Sequence, residues 1–100
     1  MHTHVPSGLA ATVDAAAKSL APGVERIRYT LGEDWSGNPA IHFRVVLSDA
    51  ASRHPVLPAT TNRVRDQLRS KLDFDAMGLY DYYNFRGLSE CERLRDKDWE

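Results

Sequence analysis

The chain is predicted to be an α+β domain: a two-layer α-β-β-α-β-α sandwich, with two helices packed on one face of a three-stranded sheet and a short C-terminal helix. Three observations predict it. Two segments carry apolar residues at helical spacing, Leu9/Val13/Ala16/Leu20 and Val64/Leu68/Leu72. Two others, 24–31 and 40–48, alternate apolar and polar residues around a stretch rich in Gly, Asn and Pro. A third strand-like run, 79–87, is dense in aromatic residues.

The first helix is expected within "SGLAATVDAAAKSLAPG", with Ser7 as its cap and Pro22-Gly23 as its stop. Its alanines raise helix propensity and leave a thin face that can sit close to a sheet. In "VERIRYTL", Ile27, Tyr29 and Leu31 are assigned to the core, and Arg26, Arg28 and Thr30 to the other face. In "AIHFRVVLS", Ile41, Phe43, Val45 and Leu47 point one way, and His42, Arg44, Val46 and Ser48 the other.

Residues 32–39 read as a long hairpin loop. Asp34 and Ser36 can bond the local backbone, Gly37 and Asn38 tolerate positive φ, and Pro39 starts the next strand where its missing N–H does no harm. Trp35 is left over by that reading: it either folds back onto the core, which is the expectation, or stands out as an anchor. "DAASRHPVLPATT" is expected as a loop that enters the second long helix, with Pro58 in its first turn. Asp66 can pair with Arg63 or Arg69 on that helix, whose charged face is otherwise read as solvated. "DFDAMG" breaks it, and Gly87 ends the third strand. Ser89 with Glu92 three residues on reads as a capping box for the last helix.

Composition narrows the function classes. One hundred residues fit one domain spanning 1–100, with residues 1–6 expected to be disordered. The formal net charge of −1 gives no strong field to recruit nucleic acid or anionic lipid. One cysteine, Cys91, cannot form an internal disulfide. No apolar run approaches the ~20 residues of a membrane span and no signal peptide is visible, so a cytoplasmic protein away from membranes is expected. Histidines 2, 4, 42 and 54 form no ligand cluster, and neither a metal site nor a cofactor is expected. Cys91 lies between Glu90 and Glu92, which should raise its pKa, and no histidine is placed to activate it. No P-loop, G-x-G-x-x-G, G-x-S-x-G or H-E-x-x-H occurs, and no catalytic residue is assigned.

The α-β-β-α-β order resembles the KH domain of the second type, an RNA-binding fold. Its G-x-x-G phosphate clamp has no counterpart, because the glycines stand at 8, 23, 32, 37, 78 and 87. Asp34-Trp35-Ser36-Gly37-Asn38-Pro39-Ala40 and Asn84-Phe85-Arg86-Gly87-Leu88-Ser89-Glu90 are similar to motifs of small uncharacterised bacterial proteins. Those carry D-[ST]-G-x-P-A before a strand and N-F-R-x-x-S-E after the last one; Trp35 is an insertion here. The resemblance implies a product of paired genes of toxin–antitoxin or phage-defence type, some beside HEPN-domain proteins. It implies a partner encoded by a neighbouring gene, and no catalytic residue.

The outward sheet face is the expected site. It collects Arg26, Arg28, His42 and Arg44 from the hairpin, and Tyr80, Tyr82, Asn84 and Arg86 from the third strand if Tyr83 and Phe85 face the core. Tyr and Arg are enriched where proteins meet, so a non-enzymatic domain that binds a protein partner through this face or a sheet edge ranks first. A homodimer through an open edge strand belongs to the same expectation. RNA binding by the same residues ranks second, since bases stack on rings while guanidinium groups meet phosphate.

Overall fold

A computed structural model of the chain describes residues 7–53 and 55–99, with Asp98 by its backbone alone. The disorder expected for residues 1–6 lies outside these, as do His2, His4 and His54. The elements run α1 (Leu9–Ser19), β1 (Val24–Glu33), β2 (Pro39–Leu47), α2 (Asp49–Ser52), α3 (Leu57–Lys71), α4 (Phe74–Met77), β3 (Tyr80–Gly87) and α5 (Leu88–Leu94), then a 3₁₀ turn, Lys97–Trp99. The expected α+β sandwich is present, with α2 and α4 as additional single turns.

The sheet order is β1-β2-β3. β1 and β2 form the antiparallel hairpin, and β2 and β3 pair in parallel. A parallel neighbour requires a crossover, and α3 supplies it across the face that α1 also covers. The predicted stripes are the buried ones: Leu9, Val13 and Ala16 of α1 with Leu20 just after it, and Val64 and Leu68 of α3 with Leu72 just after it. They pack on Ile27, Ile41, Phe43, Val45 and Leu47, with Tyr83 and Phe85 at the flank. Phe43 is the hub, with ring centroids 5.1 Å from Tyr83, 5.9 Å from Phe74 and 6.4 Å from Tyr29. Such aromatic pairs contribute about 1 kcal/mol each beyond the area they bury.

Several local expectations are corrected. Leu31, assigned to the core, is 44% exposed. An 11-residue helix spans only about 16 Å, against about 33 Å for a ten-residue strand, so α1 runs out before Leu31 is reached. Ser7 does not cap α1; Gly8 holds that position with no side-chain cap. Residues 49–52 form the helical turn α2 instead of loop, because the Ser48 hydroxyl accepts from the Ala51 N–H at 3.1 Å.

The capping box at Ser89 is also absent. α5 starts at Leu88, and both the N–H of Ser89 (3.0 Å) and its hydroxyl donate to the Asp49 carboxylate. These bonds hold Asp49 below the usual carboxylate range, with Arg53 assisting and partial desolvation opposing. Gly87 lets α2 come close, because a Cβ there would stand 2.7 Å from the Ser52 hydroxyl. Arg69 does not turn to Asp66; its Nε donates to Asp81 on β3 at 2.8 Å. Arg65 lies over the rings of Tyr83 and Phe85, at 5.6 and 5.8 Å. These two arginines of the helix face read as solvated clasp their own sheet.

Candidate functional site

The face of the sheet away from α1 and α3 carries four cross-strand rows. From one end they are Arg26/Val46/Arg86, Arg28/Arg44/Asn84, Thr30/His42/Tyr82 and Gly32/Ala40/Tyr80. All eight side chains predicted for the outward face therefore share one side of the sheet. A bulge between Val24 and Arg26 lets Val24 and Ile27 both face the core, and the strict alternation resumes after it.

The rows do not share one environment. At the first row the chain folds back over the face. α5 and the final turn bury Cys91 and Trp99 against Val46, with Leu88 at the rim, forming a small second core. Arg26 donates to the Trp99 carbonyl from Nε (3.1 Å) and Nη2 (2.7 Å). The Arg86 guanidinium lies over the Trp99 ring at 4.4 Å. Its Nε is 4.0 Å from Glu90, and its buried Nη1, which has no hydrogen bond, is 3.6 Å from Asp96. Arg26 and Arg86, predicted as contact residues, are thus used to fasten the C-terminal segment. Burial pushes the Cys91 thiol up, against the pull of Arg26 and Arg86, with Glu90 and Asp96 adding to the rise.

At the other end the hairpin loop stands beside the third row. The Asp34 Oδ1 accepts from the N–H groups of Ser36 and Asn38, both at 2.9 Å. Gly37 takes φ +81°, which a side chain would resist, and its N–H returns to the Asp34 carbonyl at 3.1 Å. The second carboxylate oxygen reaches across to β3, where the Tyr82 hydroxyl donates to it at 2.8 Å. Desolvation, the largest single influence, pushes Asp34 upward, but the bonds from Asn38, Tyr82 and Ser36 together outweigh it and hold the carboxyl below its ordinary value. The same Asp34 bond raises the Tyr82 phenol above 10.

Above this anchor three rings form a ladder. His42 stacks on Tyr82 at 5.4 Å, and Trp35 meets Tyr82 edge-on at 5.7 Å. The ring nitrogen Nε2 of His42 is 3.0 Å from the Glu33 carbonyl, which fixes the imidazole plane. Trp35 does not fold onto the core as expected: it is 86% exposed. Trp35 lies on the loop that Asp34 closes, and its indole leans on Tyr82 at the outer face of the sheet.

No family model, curated protein or solved structure matches the chain.

The second row, Arg28, Arg44 and Asn84, lies between the covered Arg26/Val46/Arg86 row and the ring ladder, with Tyr80 beyond the ladder. The loop's Asp34, its bond to Tyr82 and the returning Trp99 were not assigned to this face from sequence. A hairpin Asp followed by Ser-Gly-Asn signals a pinned turn; nothing local announces that its carboxylate also holds a tyrosine 48 residues away. Among the described residues no group of three or more His, Cys, Asp or Glu stands together to hold a metal ion. No described helix is long and apolar enough to cross a membrane.

Proposed function

We propose that this is a small non-enzymatic domain, working in the cytoplasm, that binds a protein partner on the open sheet face. Trp35 is its anchor, and Tyr80, Tyr82, His42, Arg28, Arg44 and Asn84 are its contact field. The observation that carries the reading is Trp35 itself, an indole 86% exposed on a loop that is pinned to the sheet. An exposed large ring is ordinary when isolated and informative when it is held rigid beside other rings and guanidinium groups. Trp, Tyr and Arg are the residues that supply most of the energy at protein interfaces, and a pinned loop loses little entropy on binding.

RNA is the second reading, favoured by the Arg28/Arg44 row lying next to exposed rings. Acidic groups stand at both ends of the face, Asp34 beside Tyr82 at the hairpin end and Glu90 and Asp96 beside Arg86 at the other. They work against a phosphate backbone and suit a protein of mixed charge.

The test is capture of partners by the purified tagged chain at moderate salt, with Trp35→Ala and Arg44→Glu as paired variants. The expected outcome is a protein retained by the wild type and lost from both variants, with circular dichroism unchanged. If both variants retain it, the face is not the interface. Retention of RNA at low salt, falling steeply as salt rises, would transfer the same residues to the second reading.

A further inference from the structure

We propose that two copies of this chain pair antiparallel through the free edge of β1, about a two-fold axis at Thr30, giving a continuous six-stranded sheet. Among the described residues β1 is hydrogen-bonded on one side only, to β2. It is ten residues long, against about five or six for a typical strand, and contains neither Pro nor Lys, two residues that commonly blunt an edge. Its bulge lies at Glu25, outside the stretch that would pair. On its helix-side face Leu31 is 44% exposed, beyond the half-buried Tyr29.

Sequence selects the register. Facing residues must share a side of the sheet, so only every second register is allowed. Centring the axis on Arg28 sets Arg28 against Arg28. Centring it on Tyr29 sets Glu25 against Glu33 and draws in the bulge. Like charges directly opposite are destabilising. Centring on Leu31 leaves only residues 29–33 paired. The axis at Thr30 avoids all three. It sets Tyr29 opposite Leu31 of the second copy, covering the exposed leucine, and Arg28 opposite Gly32. On the outward side it also sets Arg26 of one strand opposite Asp34 of the other, while on the helix side Glu33 falls opposite Ile27. Only an antiparallel self-pairing makes that order of charge complementary.

This pairing stands apart from the open-face reading. A two-fold axis normal to the sheet keeps both open faces on the same side and uncovered, so Trp35→Ala should leave the dimer intact. Light scattering on the full chain at high concentration should give twice the 11.3 kDa of one chain. Thr30→Lys, which sets two ammonium groups face to face, should return the monomer with an unchanged circular dichroism spectrum. In a Cys91→Ser background, Thr30→Cys should oxidise to a covalent dimer at least about tenfold faster than Lys18→Cys on α1, because residues opposite each other lie within disulfide reach. A monomer at the highest concentration, a dimer that survives Thr30→Lys, or cross-linking at 30 no faster than at 18 would each overturn the proposal.

Discussion

The two tryptophans sit at opposite ends of the same sheet face and have opposite surroundings. Trp99 is 7% exposed, closed in by Val46 and Cys91 with the Arg86 guanidinium over its ring, while Trp35 is 86% exposed on a polar loop. Both ends spend an ionisable side chain on ordering backbone: Arg26 grips the carbonyl of Trp99, and Asp34 grips the amides of its own turn. The difference lies in what each ordering achieves. At one end it buries a ring and completes the fold. At the other it holds a ring in water, where it contributes little to stability and is available for contact. Arginine and tyrosine content alone does not separate these roles; the packing around each side chain does.

The sharpest way to break this comparison is Trp99→Ala. Removing a buried indole from the second core should cost about 3 kcal/mol, read as a lower midpoint in urea unfolding. The Cys91 thiol should become reactive to a disulfide reagent as its cover is lost. A loss below about 0.5 kcal/mol, the scale of an ordinary surface substitution, would mean that the C-terminal turn is only loosely attached. Arg86→Lys comes next, at about 1 kcal/mol. It keeps the charge and discards the planar fork that lies on the indole. Equal stability of Arg86→Lys and wild type would show that the stack is incidental.

The fold was largely legible because periodicity is a strong signal. The stripes Leu9/Val13/Ala16/Leu20 and Val64/Leu68/Leu72 are buried, and the alternation of 80–86 sends Tyr83 and Phe85 inward. The site was legible only as a list of residues on one face. Which of them remain accessible depends on the path of α5 and the final turn, and no local pattern encodes that path. The S-x-x-E signature at Ser89 misled for the same reason: its backbone N–H is satisfied by Asp49, 40 residues earlier. Leu31 failed on length, since a strand pattern does not reveal how far a neighbouring helix will reach.

The hairpin end can be sharpened by pH. The folded pKa of Asp34 lies below its unfolded value, so its hydrogen bonds stabilise the chain above the unfolded pKa and are lost as pH falls through the folded one. Asp34→Asn should therefore flatten part of the acid limb of a thermal stability curve below about pH 4, to which Asp49 and Asp81, also depressed, contribute as well. The Tyr82 phenol runs the other way. Its folded pKa is raised, so its contribution is present below the unfolded value and is lost as pH rises through the folded one. Ultraviolet titration of Asp34→Asn should bring this tyrosine back toward its ordinary midpoint near 10. A Tyr82 midpoint that does not move would remove the bond that pins the loop to the sheet.

The smallest expected effect on stability is the most telling for function. Trp35→Ala should change the unfolding free energy by no more than about 0.5 kcal/mol, since the ring has little buried area to lose. Fluorescence excited at the red edge of the indole band then separates the two ends, because Trp99 becomes the sole tryptophan. In that variant, emission should shift to the blue and acrylamide quenching should fall well below wild type. In Trp99→Phe, with Trp35 alone, quenching should approach that of free indole. A partner that protects Trp35 in the second variant while leaving Trp99 unchanged in the first would assign its contact to the hairpin end. Protection of both rings would instead indicate a global tightening, and the two ends of the face would no longer be independent.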